Sequence, residues 1–189
     1  YSTKLRERSM TMIDELISLY GAHPSLKGIY LPQELDNARF VSSTNRDILV
    51  NTILKPISDH VHAVRPDLLF SDAPFYNPTA QQPADYQIWW TRVLTDCPNF
   101  DLVIPQDGIG ANPSKITFPV IASYFSALQG ACNATGRKLW SDLEMFENTS
   151  SWEPPPIDRT LQQLSTEAPY VEKFVVWAWI YCSPNYSMR

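Results

Sequence analysis

The sequence predicts an α/β chain made of five strand–helix units, and three observations carry that reading. Five short apolar runs read as buried strands, starting at residues 27, 67, 101, 138 and 174. Helical patterns fill the intervals, which span roughly 34–40 residues, and a parallel crossover with its helix needs about 30 or more. No Gly-rich dinucleotide or phosphate loop follows any run, which argues against a nucleotide-binding doubly wound sheet and favours a (β/α) barrel arrangement. The regular interval is structural only, because no residue motif repeats with it.

Each element has a local reason. Residues 4–20 place Leu5, Met12, Ile13, Leu16, Ile17 and Tyr20 at helical spacing, and Gly21 follows as a stop signal. The first strand is expected over 27–32. A second helix is expected from near Asn45, which can cap it with Asp47 in the first turn. It continues through Ile48, Leu49, Ile53, Ile57 and Val61 despite Pro56. Further strands are expected over 67–71, 101–105, 138–143 and 174–180, with helices over 85–95, 119–132 and 157–164.

Composition narrows the function classes. With 189 residues, 44% apolar and 19% charged, the chain can bury a substantial core and reads as one domain over 1–189. A net charge of −5, with no basic cluster beyond residues 4–8, provides no footprint for nucleic acid. No apolar run reaches the ~18 residues of a membrane span. Cys97, Cys132 and Cys182 form neither a CxxC pair nor a zinc spacing; they read as buried thiols with at most one disulfide among them. His23, His60 and His62 show no ligand spacing, so neither a metal nor a cofactor is expected. Sequons at Asn133, Asn148 and Asn185 fit a secreted glycoprotein.

The chemistry is expected at the carboxyl ends of the strands, where parallel α/β folds gather their functional residues. Two glutamates stand there. Glu34 follows the run Gly28-Ile-Tyr-Leu-Pro-Gln, and Glu144 ends Leu139-Trp-Ser-Asp-Leu. Paired carboxyls suit glycoside hydrolysis, which needs one protonated group to donate to the leaving oxygen and one ionised group to attack or to activate water. Different surroundings must then push the two acidities apart. Asp142 has the same strand parity as Glu144 and competes with it, while Asp107 and Asp72 end their own strands. Asp36 and Asn37 read as loop-shaping residues. Tyr30 matches Glu34 in parity, Phe75 and Tyr76 sit on the next loop, and Trp140 shares the face of Glu144. Trp177 and Trp179 share a face of the last strand, and Trp89 and Trp90 read as core.

Three phrases, Gly28-Ile-Tyr-Leu-Pro-Gln-Glu-Leu-Asp-Asn37, Pro105-Gln-Asp-Gly-Ile-Gly110 and Leu139-Trp-Ser-Asp-Leu-Glu-Met-Phe-Glu147, resemble an uncharacterised family of TIM-barrel proteins described as candidate glycoside hydrolases. The resemblance covers almost the whole chain. It implies that these phrases are the fourth, sixth and seventh strands of a (β/α)8 barrel. The chain would then supply the carboxyl-terminal five units of an incomplete barrel and be a fragment of a longer sequence. More broadly, the placement is similar to the clan of retaining glycosidases whose acid/base ends the fourth strand and whose nucleophile ends the seventh. That similarity implies Glu34 as acid/base and Glu144 as nucleophile. Gln33 stands where the clan usually has asparagine, and its amide would reach a sugar 2-hydroxyl. Tyr30, Gln33, Tyr76, Asp107, Trp140, Asp142 and Trp179 are the implied substrate contacts, with a carbohydrate as partner. The competing class is a noncatalytic barrel that binds carbohydrate through the same aromatic cleft, and a third possibility is a hydrolase using Asp107 or Asp142.

Overall fold

Apolar runs too short to form stable helices alone become parallel strands here, each laid beside the one before it. The computed structural model describes residues 2–148 and 152–178. Helix α1 (Ser2–Tyr20) leads into β1 (Gly28–Leu31), and α2 (Ser43–Leu49) and α3 (Lys55–Val64) lead into β2 (Leu69–Asp72). Then follow α4 (Pro83–Asp96), β3 (Leu102–Val103), α5 (Phe118–Thr135), β4 (Lys138–Leu139) and β5 (Ser141–Glu144). A small hairpin, β6 (Glu147–Asn148) with β7 (Trp152–Glu153), precedes α6 (Ile157–Glu167) and β8 (Phe174–Trp177).

Strands β1 to β4 form a parallel sheet in chain order, and β5 pairs in parallel with β8. The two sheets are joined through one chain passage. The run expected as a single strand over 138–143 breaks its pairing at Trp140, because the passage changes partners there. Trp140 N–H still donates to Val103 O at 3.0 Å, whereas Ser141 N–H turns to Lys173 O at 2.9 Å. Asp142 N–H donates to Pro105 O, and a parallel bridge between Gln106 and Asp142 keeps the β3 passage alongside β5. The strand also runs one residue further than expected, to Glu144. The expected final strand is described to Trp177, and its residues from 179 on lie outside the described residues.

The second helix departs from expectation at its start. Ser42, not Asn45, caps it: Ser42 Oγ accepts Asn45 N–H at 3.2 Å, while Asn45 Nδ2 donates to Arg39 O. Serine fits the cap because its short hydroxyl reaches the third residue ahead. The helical path continues from Ser43 to Val64 past Pro56, as expected, by widening into a π-helical turn over Val50–Leu54. Proline has no N–H to donate and crowds the carbonyl four residues back, and a wider turn relieves both problems. Helix α5 ends at Gly136, whose left-handed backbone (φ 69°) releases its N–H to Cys132 O. The β6–β7 hairpin has no counterpart among the sequence-based expectations.

The core lies between strands and helices. Between α4 and α5, Tyr86, Trp90 and Tyr124 pack edge to face, and Trp89 Nε1 donates to Phe40 O. Trp89 and Trp90 are therefore core, as read from sequence. Phe70 and Phe100 meet edge to face under β2. Cys97 and Cys132 are buried free thiols, both pushed up to about 12 by burial; Cys182 lies outside the described residues. Among the described residues, no helix is long and apolar enough to cross a membrane.

Candidate active site

A cavity of about 440 Å³ opens at the carboxyl ends of the strands. Glu34 from the loop after β1, and Asp142 and Glu144 from β5, all line it. One wall is aromatic. Phe146 stacks on Trp152 at 4.5 Å between centroids, and Trp177 meets Phe146 edge to face at 5.1 Å. Tyr30, Phe75 and Tyr76 line other parts of the cavity.

Glu144 is held by its backbone as much as by its carboxyl. Its N–H donates to Asp107 Oδ2 at 3.2 Å, and its carbonyl accepts from Arg159 Nη2 at 3.1 Å and Gln163 Nε2 at 3.3 Å. Its Oε2 accepts the Ala111 N–H at 2.7 Å. Gly110 makes that approach possible: a Cβ there would meet Phe146 O at 2.3 Å and Glu144 Oε2 at 3.0 Å. Only 4% exposed, Glu144 is pushed up to about 8 by burial and by the neighbouring Asp107 carboxyl. Asp142 is pushed up to about 7 by the same two causes, and its Oδ1 is buried without a hydrogen-bond partner among the described residues.

Glu34 has different support. It is exposed, and the loop that carries it is fixed just beyond it. Asp36 Oδ1 accepts the Ala38 and Arg39 N–H groups at 2.8 and 2.7 Å, closing a turn. Asn37 Oδ1 accepts Asn77 N–H at 2.7 Å and its Nδ2 donates back to Asn77 O, tying this loop to the one after β2. Asp36 and Asn37 are loop-shaping residues, as the sequence suggested.

A family model described as a domain of unknown function (DUF4434) matches residues 3–187. The chain belongs to the DUF4434 family. No curated protein matches it. Among solved structures, this DUF4434 chain is similar to the crystal structure of a "putative alpha-L-fucosidase" from Bacteroides thetaiotaomicron, with a TM-score of 0.80 and 16% identity over 97% of this chain. At that identity the likeness is one of fold. The match spans 56% of the length of that structure.

Of the substrate contacts implied by sequence, Tyr30, Tyr76 and Asp142 join Glu34 and Glu144 around the cavity of the DUF4434 chain. Gln33, in the loop beyond β1, does not line it; its Oε1 is buried without a hydrogen-bond partner among the described residues. Trp140 has the right parity but the wrong depth. Four residues at about 3.3 Å each separate it from Glu144, and Lys173 Nζ sits 4.9 Å from its ring centre instead. Asp107 is fully buried beside Glu144 rather than facing the cavity. Asp72 is also fully buried, with neither carboxyl oxygen hydrogen-bonded among the described residues, and burial followed by the Glu34 charge pushes it well up. Trp179 lies outside the described residues.

Sequence reasoning missed three residues of α6, namely Arg159, Gln163 and Glu167, and the aromatic pair Phe146 and Trp152. A signal for the helix exists. The buried residues of α6 are Thr160, Gln163 and Glu167, a polar stripe at helical spacing, while Ile157 and Leu161 face outward. A helix that turns its polar face inward needs polar partners there, and Asp107, Ser141 and Glu144 are those partners.

Proposed function

We propose that this chain is a glycoside hydrolase that works with Glu34 and Glu144 as its two carboxyls and forms the carboxyl-terminal five units of a (β/α)8 barrel. The observation that carries the reading is the meeting of these two glutamates, far apart in sequence, on one aromatic-walled cavity. The aromatic wall suits a sugar, whose C–H faces pack on rings while its hydroxyls seek carboxyls. The fold likeness to a structure titled as a fucosidase favours the same class. Exposed sequon asparagines, Asn133 and Asn148, are compatible with a secreted glycoprotein.

The mechanism we favour is retaining, with Glu34 as acid/base and Glu144 as nucleophile. A nucleophilic Glu144 must be ionised, and the Ala111 N–H on Oε2 favours that form. Burial and Asp107 oppose it, so at neutral pH the resting Glu144 retains a proton. Transfer of that proton to Glu34 as substrate displaces water would create the acid and the nucleophile together. One observation favours a second reading. A buried, protonated Glu144 facing an exposed Glu34 is also the arrangement of an acid opposite a base that activates water, which inverts the anomeric centre.

The experiment is hydrolysis of a panel of aryl glycosides by the full chain and by Glu34→Gln and Glu144→Gln, with the product anomer read by NMR. A 2-fluoro glycoside adduct on the Glu144 peptide, seen by mass spectrometry, supports retention; an inverted product supports the second reading. Turnover surviving both substitutions sinks the paired-glutamate mechanism. Sugar binding without any turnover by the unaltered chain moves the reading to a noncatalytic carbohydrate-binding protein.

A further inference from the structure

Behind Glu144 lies a second carboxyl pair that the proposed chemistry does not use. Asp107 is fully buried and receives donors on both oxygens: Ile109 N–H on Oδ1 at 3.0 Å, and Glu144 N–H and Gln163 Nε2 on Oδ2. Arg159 adds an attractive charge. Donors and a cation favour a carboxylate. Glu167, on the last turn of α6, is equally buried. Its Oε2 accepts from Ser141 Oγ, its Oε1 meets no donor among the described residues, and its carboxyl lies in hydrogen-bond reach of that of Asp107. Two carboxyls in such contact cannot both be ionised away from water, and a proton on Glu167 satisfies both.

We propose that Glu167 is a positioning residue for Glu144, acting through Asp107: its buried carboxyl stays protonated and donates to the Asp107 carboxylate, which fixes the Glu144 main chain. The groups facing the pair are Asp142 and Glu144 from β5, Arg159 from α6, and Tyr76, whose hydroxyl donates to Asp107 O at 2.7 Å. Burial, then the Asp107 charge, pushes Glu167 up to about 9, in keeping with the geometry. The inference rests on reading Glu144 as a working carboxyl, but its test does not need turnover.

The experiment is a carbon-13 NMR titration of the side-chain carboxyls in the full chain, in Glu167→Gln and in Glu167→Leu. In the unaltered chain Glu167 should remain protonated through neutrality. Glutamine keeps a donor toward Asp107, so the Glu144 titration should stay in place. Leucine removes the donor, so Asp107 should take up a proton and the Glu144 titration should fall by about one pH unit as the neighbouring charge is lost. With a working substrate, kcat should drop about tenfold in the leucine variant and recover in the glutamine variant, with KM little changed. Glu167 ionising near the ordinary glutamate range overturns the proposal in the unaltered chain alone, even if the leucine variant fails to fold. Equal Glu144 titrations in the two variants also overturn it. Titrations as expected in a chain without turnover would sink the hydrolase reading and leave the pair standing.

Discussion

Glu144 and Glu34 face one cavity from walls of opposite kinds. Around Glu144 the chain is dry and over-determined: Asp107, Gln163, Arg159 and Ala111 hold its backbone and carboxyl, and the Glu167 carboxyl is buried close by. Around Glu34 the side chain is exposed, and order comes from the turn at Asp36 and the Asn37–Asn77 clasp just beyond it. The difference teaches how one cavity can offer two carboxyls in different surroundings. Burial penalises the charge on one, water solvates the other, and the strand register brings both to the same cavity.

The largest test of that comparison is loss of chemistry. Glu144→Gln and Glu34→Gln should each lower turnover on a responsive glycoside by about 10³-fold, since each removes a proton-transfer or covalent partner. If only one of them matters, the two walls do not form one catalytic unit. Stability against pH tests the dry wall next. Glu144 is raised in the folded chain from its ordinary 4.5 to about 8. The folded state therefore binds more protons than the unfolded one across that interval, and its stability falls as pH climbs from about 4.5 to 8. Denaturant unfolding should show the unaltered chain losing roughly 2–4 kcal/mol from this group over the interval, and Glu144→Gln should flatten the slope.

Smaller effects sharpen the contrast. Gly110→Ala should cost about 1–3 kcal/mol in chemical unfolding, because its Cβ would strike the Phe146 carbonyl on the dry wall. Trp177→Ala removes an aromatic neighbour of Phe146 that lines the cavity, and should weaken sugar binding by calorimetry about 2–10-fold. Smallest is Asn37→Ala. It opens the clasp between the loops after β1 and β2 and should cost about 0.5–1.5 kcal/mol, with faster hydrogen exchange at Asn77 N–H. A larger loss there than at Gly110 would mean that the solvated wall, not the dry one, is the more tightly built.

The α6 helix shows where sequence reasoning stops. Its existence was legible from residues 157–164, but periodicity invites a reader to turn Ile157 and Leu161 inward, and the structure turns them out. Tertiary context won because the surface that α6 covers is itself polar, lined by Ser141, Asp107 and the Glu144 main chain. Trp140 makes the same point by depth. Parity selected the correct face, yet parity says nothing of distance along the strand, so Trp140 misses the cavity that Glu144 lines.

By itself the sequence determined the alternation of strands and helices, a buried core with Trp89 and Trp90 in it, and the placement of Glu34 and Glu144 at the carboxyl ends of strand segments. These are local properties, set by apolar periodicity, turn chemistry and chain length between crossovers. Only the tertiary structure decided which acids share a cavity and which lie buried beside one another. It also decided that Glu167 reaches Asp107 across two elements. Such contacts depend on strand register and helix rotation, and a one-residue slip or a quarter-turn would undo them without changing the pattern of the sequence.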